Sequence, residues 1–165
     1  MDRVGDRISL MKELWFKISL DTEWRAMSAK DRYHDVVKRA LQKEQWSITH
    51  EPLRLEFGED DAVKIDLAAE KLLGAEKAGR KIAVEIKSFL SDSSLFDFHT
   101  ALGQFLNYRI VLEAIEPDRA LYLAVPLSAY ESFFKRKLPQ TSIQQYQVKL
   151  IVYDTAKEEI LKWSD

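Results

Sequence analysis

The chain has 165 residues, 46% hydrophobic and 32% charged, with a formal net charge of −2 and an isoelectric point near 6.0. These values fit one globular domain and argue against a basic nucleic-acid coat protein, so any DNA contact must come from a local patch or from metal ions. The lack of cysteine excludes a disulfide scaffold, a thiolate zinc site and thiol catalysis. No apolar run reaches the roughly 20 residues of a membrane span, and the first residues do not resemble a signal peptide. The sequence therefore predicts a soluble, cytoplasmic protein without a membrane partner.

The first 26 residues differ in character from the rest of the chain. They contain a short amphipathic segment, Ile8–Leu20, with apolar residues at helix-like spacing. From Ser28, which can cap a first helix, the sequence has the pattern of a self-sufficient domain. We interpret residues 1–26 as an N-terminal extension, upstream of a native start at Met27, and residues 28–165 as a single domain.

Beyond the first helix, which is predicted to end near Gln45, the period of the apolar residues changes from 3.6 to 2. The predicted elements are then a strand over 46–57 kinked at Pro52, strands at 63–70 and 81–87, a helix at 94–113, a buried strand at 119–125, a helix at 127–137 stopped near Pro139, and a hairpin of strands at 148–153 and 159–163. This order, α-β-β-β-α-β-α-β-β, indicates an α/β sandwich with a mixed central sheet flanked by helices.

Two of the predicted strands carry acidic residues near their ends. Glu85 and Lys87 are two residues apart on one strand and share a face, and Asp66 can come opposite Glu85 if the two strands pair. Two neighbouring carboxylates repel unless a cation joins them, so the pair suits Mg²⁺ or Mn²⁺. Such a metal neutralises charge on a phosphodiester and lowers the pKa of a bound water, while Lys87 can stabilise the phosphate.

The spacing of Asp66, Glu85 and Lys87, Asp-x18-Glu-x-Lys, resembles the motif of the PD-(D/E)xK nuclease superfamily. The resemblance implies a restriction-endonuclease-like three-layer sandwich, and hence an endonuclease-like domain over the predicted 28–165. It also implies that Asp66, Glu85 and the backbone carbonyl of Ile86 hold the metal and that Lys87 assists the cleavage of DNA. Ile65 stands where the superfamily often has proline.

Two further elements extend this resemblance to the predicted helices. Gln104 and Tyr108 resemble the Q-x-x-x-Y element of RecB-like nucleases, and at i and i+4 they share a helix face from which they can position the site. In the first helix, His34 or Asp35 stands where some branches have an extra acidic ligand. Asp35 suits magnesium, and His34 suits a softer metal.

A closer resemblance covers nearly all of residues 28–165. It is carried by the strings YHDVVK (33–38), IDLAAEK (65–71), VEIKSF (84–89), HTALGQFLNYR (99–109) and LYLAVP (121–126). These strings resemble the cyanobacterial XisH family, the fdxN element excision controlling factors. The resemblance implies a role in programmed, site-specific DNA excision during heterocyst differentiation, beside a separate site-specific recombinase and a small XisI-like companion protein. It does not by itself imply nuclease activity, and residues 1–26 fall outside it.

Other interpretations of these residues stay open. Asp66, Glu85 and Lys87 can form a surface salt-bridge ladder across two strands, and the helix carrying Gln104 and Tyr108 can place polar residues at the edge of the core without a function. A degenerate nuclease fold can also act as a non-catalytic accessory protein through protein–protein contacts, which a net charge near zero favours. Assembly into a homo-oligomer is also left open.

Overall fold

The computed structural model describes Lys12 and residues 31–71 and 79–164 of the chain. The chain divides into two compact units, Met1–Arg32 and Tyr33–Asp165. The fold and the site described below belong to the second unit.

Several expectations for the N-terminal part lie outside the described residues. These are the amphipathic segment Ile8–Leu20, the helix cap at Ser28 and the extension over 1–26. They stay predictions, as does the single domain over 28–165.

The second unit consists of a mixed central sheet, a small second sheet and helices. Its elements are α1 (33–43 within this unit), β1 (Ser47–His50), β2 (Leu53–Phe57), β3 (Asp61–Ile65), β4 (Leu67–Lys71), β5 (Arg80–Ile86), α2 (Ser94–Ile115), β6 (Arg119–Pro126), α3 (Leu127–Ala129), a π-helical turn (Tyr130–Phe134), α4 (Lys137–Gln145), β7 (Leu150–Asp154) and β8 (Glu159–Ser164). In the described chain, six strands form one sheet in the order β1-β4-β5-β6-β7-β8, and β2 pairs with β3. The pairs β5–β6 and β6–β7 are parallel and the others antiparallel. The prediction of a mixed α/β fold is therefore confirmed.

Side-chain alternation along the central strands builds a hydrophobic core on each face of the sheet. One core contains Phe98, Phe105 and Leu112 of α2 together with strand residues Ala83, Leu121, Leu123, Leu150 and Val152. The other contains Val36, Val37 and Leu41 of α1 together with strand residues Ile82, Val84, Tyr122, Ala124 and Ile151. Helices α1 and α2 therefore lie on opposite faces of the sheet. Burial of each large aliphatic or aromatic side chain in these cores contributes roughly 1.5–3 kcal/mol to the stability of the fold.

The predicted single strand over 46–57 is wrong. The structure has two strands there, which join different sheets: β1 pairs with β4, and β2 pairs with β3. Pro52, which follows a cis peptide bond, lies between them. Because proline has no N–H to give to a ladder, Pro52 separates the strands instead of kinking one continuous strand.

The predicted strand over 63–70 is also two strands, and the bend between them is at Asp66. In a continuous strand, Ile65 and Leu67 would share a face. Both are fully buried, but Ile65 belongs to the core beneath α2 and Leu67 to the core beneath α1. The chain therefore turns at Asp66 to pass from the small sheet into the central sheet.

The predicted helix over 127–137, stopped near Pro139, is wrong in its boundaries. The chain forms the short α3 and the π-helical turn, and then begins α4 at Lys137. Pro139 is the third residue of α4, where backbone N–H groups have no partner within the helix. The first helical bond of α4 is donated by Gln140 N to Arg136 O, at 3.1 Å. Proline is therefore tolerated at this position.

The remaining predicted elements are confirmed with small shifts in their ends. They are the end of the first helix near Gln45, the strand over 81–87, the helix over 94–113, the buried strand over 119–125 and the C-terminal hairpin. None of the helices in the described ranges is both long enough and apolar enough to cross a membrane. The cytoplasmic location stays a prediction.

Ser93 caps helix α2. Its side-chain oxygen accepts a hydrogen bond from Phe96 N at 3.2 Å. We expect Ser93→Ala to lower the free energy of unfolding by about 1 kcal/mol, because the N–H group then loses this acceptor. Urea unfolding measures the change. Ser128→Ala, at an exposed serine of α3, serves as the control, and an equal loss in both variants would contradict a capping role.

Candidate functional site

Asp66 and Glu85 lie together where β4 begins and β5 ends. The antiparallel register pairs Leu67 with Val84, so Asp66 and Glu85 occupy the next position beyond this pair. Asp66 Oδ2 accepts a hydrogen bond from Ile86 N at 2.8 Å. The bend at Asp66 thus directs its carboxylate to the end of β5, where the sequence placed the partner acid.

Glu85 is a buried acid, and among the described residues only one of its side-chain oxygens has a hydrogen-bond partner. It is 4% exposed, and Oε1 accepts from Lys87 Nζ at 2.9 Å. Its other oxygen, Oε2, is buried without a hydrogen-bond partner among the described residues. Burial, followed by the negative charge of Asp66, raises the pKa of Glu85 despite the opposing effects of Lys87 and of a hydrogen bond from the backbone of Asp66. A buried oxygen left in this state costs about 1–3 kcal/mol, so a proton or a cation at Glu85 would be stabilising.

Helix α2 brings two polar residues to the face of the sheet that carries Glu85. Tyr108 packs against the core beneath α2. Burial, followed by the charges of Glu85 and Asp66, raises the pKa of Tyr108 to about 12, so its phenol stays protonated at neutral pH. Gln104, one turn earlier, has a buried Oε1 without a hydrogen-bond partner in the described part of the chain. Tyr108 therefore lies within electrostatic reach of both acids.

The two candidate ligands of α1 have different surroundings. His34 Nε2 lies 3.5 Å from the backbone oxygen of Asp66, and His34 Nδ1 lies 3.4 Å from Glu51 Oε1. Asp35 is exposed. The pKa of Arg39, one turn along the helix, is raised mainly by the hydrogen bonds that Arg39 donates to Glu158 and to a smaller extent by the charge of Asp35. His34 is thus the member of the pair that contacts Asp66, and it does so through the main chain.

The described ranges contain no group of three or more histidine, aspartate or glutamate side chains arranged to hold a metal ion. The site there consists of two carboxylates, one lysine, one tyrosine and one glutamine. Sequence reasoning missed Glu51, which contacts His34 and also accepts from Lys38 Nζ at 2.6 Å. The sequence around Glu51 does not indicate this role, because its partners His34 and Lys38 lie on α1 and meet it only once the chain between them has folded.

The fold and the site define a mixed α/β domain with paired carboxylates and a lysine at the end of a central strand. A family model described as XisH protein matches residues 27–161, which is most of the chain. The chain belongs to the XisH family.

Two crystal structures are similar to this chain. One is a fdxN element excision controlling factor protein from Anabaena variabilis, at 48% identity and a TM-score of 0.73, with 82% of this chain and 99% of that chain covered. The other is an XisH family protein from Nostoc punctiforme PCC 73102, at 46% identity and a TM-score of 0.72, with 81% and 99% covered. No curated protein matches the chain.

Proposed function

We propose that this protein is a DNA-excision controlling factor with an endonuclease-like metal site, which takes part in site-specific DNA rearrangement of the heterocyst fdxN element type. Membership of the XisH family and the likeness to an excision controlling factor from Anabaena variabilis support the role in excision. DNA, an XisI-like companion protein and a separate recombinase are its proposed partners, and a homo-oligomer is compatible with this role.

The proposal includes a restriction-endonuclease-like sandwich of the PD-(D/E)xK type. Helices on opposite faces of a mixed sheet support it, as does the position of the acids at the ends of neighbouring strands. In this arrangement, α2 carries Gln104 and Tyr108 to the face on which Glu85 lies.

The observation that carries the proposed metal site is the buried Glu85 Oε2 beside Asp66. Glu85, whose pKa is raised by burial and by the charge of Asp66 and whose Oε2 has no hydrogen-bond partner among the described residues, suits a hard divalent cation with oxygen ligands. Asp66, Glu85 and the Ile86 carbonyl would hold Mg²⁺ or Mn²⁺, and His34 or Asp35 is the candidate for an additional ligand. Asp66 and Glu85 are therefore the two anionic ligands that we propose for such a cation.

The chemistry proposed for the site is hydrolysis of a phosphodiester. A bound divalent cation would supply charge neutralisation and a more acidic water molecule. Lys87 Nζ, which now donates to Glu85, would turn to a non-bridging phosphate oxygen as negative charge develops there. The protonated Tyr108 phenol can donate to the same phosphate, and the Gln104 amide orients the groups around it.

Titration of the full-length protein with Mn²⁺ tests the metal site. We expect saturable binding by calorimetry that Asp66→Ala and Glu85→Ala each weaken by at least tenfold, because each substitution removes an anionic ligand. Asp118→Ala is the matched control, since Asp118 is an exposed acid that pairs with Lys81 at 2.9 Å. Absence of saturable binding, or unchanged binding in both site variants, would contradict the metal site.

A non-catalytic accessory role is the second candidate. The net charge of −2 and the absence of a three-ligand metal group within the described ranges favour it. In that role the protein would act through protein–protein contacts, and its acids and lysine would be structural. Excision measured in cells distinguishes the candidates, since normal excision with Lys87→Ala supports the accessory role and lost excision with a folded variant supports catalysis.

A further inference from the structure

A pocket of about 310 Å³ opens beside Lys87, between the loop that follows β5 and the first turns of α2. Its lining contains the basic residue Lys87, the hydroxyl residues Ser88 and Thr100, the acid Asp97 and the aromatic residue Phe96. The volume is at the lower end of the range for small-molecule sites, roughly 300–1,000 Å³. A ligand of one ring system with a polar edge suits this lining.

The loop wall of the pocket is held in place by the protein itself. Phe89 has a left-handed backbone conformation (φ 54°), and its ring packs edge-on against the ring of Phe134, with 5.0 Å between the ring centroids. Ser91 N donates to Asp97 Oδ2 at 3.2 Å, and Ser91 Oγ donates to Ser93 O at 3.1 Å. These contacts organise the pocket before any ligand arrives, which lowers the entropic cost of binding.

The lining of the pocket includes an unusually exposed aromatic residue. Phe96 is 67% exposed, more than any other large hydrophobic side chain of the described chain, and Leu90, which also lines the pocket, is 59% exposed. Neither contributes much to the core. A flat apolar surface beside hydroxyl, carboxylate and ammonium groups is what a nucleobase requires, because each base has an apolar face and a hydrogen-bonding edge.

Taking the proposed action on DNA as its premise, we propose that this pocket receives one unpaired nucleobase, stacked on Phe96, while the adjoining phosphate lies at Lys87. A base inside an intact duplex has both faces covered by its neighbours and cannot enter such a pocket without leaving the stack. The substrate class is therefore DNA with unpaired nucleotides, such as single-stranded, flapped or branched DNA. A nucleotide suits this position better than a docking peptide does, because it combines a flat aromatic face with a phosphate that matches the positive charge of Lys87.

Fluorescence of 2-aminopurine tests the proposal on the full-length chain in EDTA, where no metal-dependent cutting occurs. Single-stranded DNA with one 2-aminopurine should bind with a rise in fluorescence, because the base leaves the neighbouring bases that quench it, and the same sequence as a duplex should bind more weakly. Phe96→Ala should raise the Kd for single-stranded DNA about tenfold and abolish the fluorescence rise, because the stacking surface is lost. Phe96→Trp should retain both. Phe57→Ala, at a 39% exposed phenylalanine of β2, is the matched control and should behave like the wild type.

The pocket proposal is overturned if Phe96→Ala binds single-stranded DNA as the wild type does, or if single strand and duplex bind equally well. A protein-docking role for Phe96 would produce the first of these results. Cleavage measured in parallel with Mg²⁺ separates this proposal from its premise. If DNA binding depends on Phe96 but no cleavage occurs, the proposed cleavage is contradicted and the pocket proposal stands. If cleavage occurs and Phe96→Ala does not change it, the pocket proposal is contradicted and the proposed cleavage stands.

Discussion

Replacement of Lys87 by alanine is expected to slow metal-dependent phosphodiester cleavage by roughly 10²–10³-fold, the usual effect of removing one donor to a developing oxyanion. Lys87 Nζ lies 2.9 Å from Glu85 Oε1, at the end of β5 where the two acids meet. Metal binding should survive the substitution or become tighter, because a lysine is not a ligand and its positive charge opposes a cation nearby. A loss confined to the chemical step is thus expected.

Single-turnover rates on branched DNA, with metal affinity measured in parallel, check this expectation. Lys81→Ala is the matched control, because Lys81 lies on the same strand and also pairs with a carboxylate, that of Asp118 at 2.9 Å. The cleavage rate of Lys81→Ala should remain within about twofold of the wild type, since ion pairs exposed to solvent contribute little free energy. Equal rates for Lys87→Ala and the wild type would contradict a catalytic lysine. Wild-type protein without any metal-dependent cleavage would leave the accessory role as the explanation.

The sequence was sufficient to predict the strand that carries the site. The residues on either side of Glu85 are apolar, and the period of 2 predicts that Glu85 and Lys87 share a face. The ion pair between them agrees with that prediction. The position of Asp66 opposite the end of this strand was also predicted on the condition that the strands pair, and the register of Leu67 with Val84 meets that condition.

The bend at Asp66 could not be predicted, because nothing local distinguishes it. Ile65 and Leu67 both suit a buried strand, and only their burial in opposite cores shows that the chain turns between them. Strand pairing is a property of distant partners: Ile65 pairs with Leu53, while Leu67 pairs with Val84. One continuous strand is therefore the natural interpretation of the sequence, although it is wrong.

The exposed face of α2 could not be predicted from the sequence either, for a different reason. Apolar residues occur on all sides of this helix, so helical periodicity does not identify the buried side. Leu95 is an apolar residue of this helix but is 43% exposed, and Phe96 beside it is 67% exposed. The helix thus looks like a core element in the sequence, whereas its first turn presents an apolar surface next to Lys87.

Replacement of Glu85 by glutamine is expected to stabilise the metal-free protein at pH 8. Burial and the charge of Asp66 raise the pKa of Glu85 in the folded state, so the fold favours the protonated form. The corresponding stability is fully present below the ordinary carboxyl value near 4.5 and is lost as pH rises through the raised pKa. Glutamine resembles the protonated acid at every pH. The variant should therefore gain about 1–3 kcal/mol at pH 8, and the gain should disappear towards pH 4.

Saturating Mg²⁺ should reverse this order of stability. A ligand at 100 times its Kd stabilises the folded state by about 2.7 kcal/mol, and only the wild type retains both anionic ligands. Urea unfolding at pH 8 with and without Mg²⁺ measures the reversal. Glu131→Gln, at an exposed acid that pairs with Lys135, is the matched control and should respond to Mg²⁺ as the wild type does. A wild type that is more stable than Glu85→Gln without metal would favour a structural salt bridge, and equal stabilisation of both by Mg²⁺ would place the cation elsewhere.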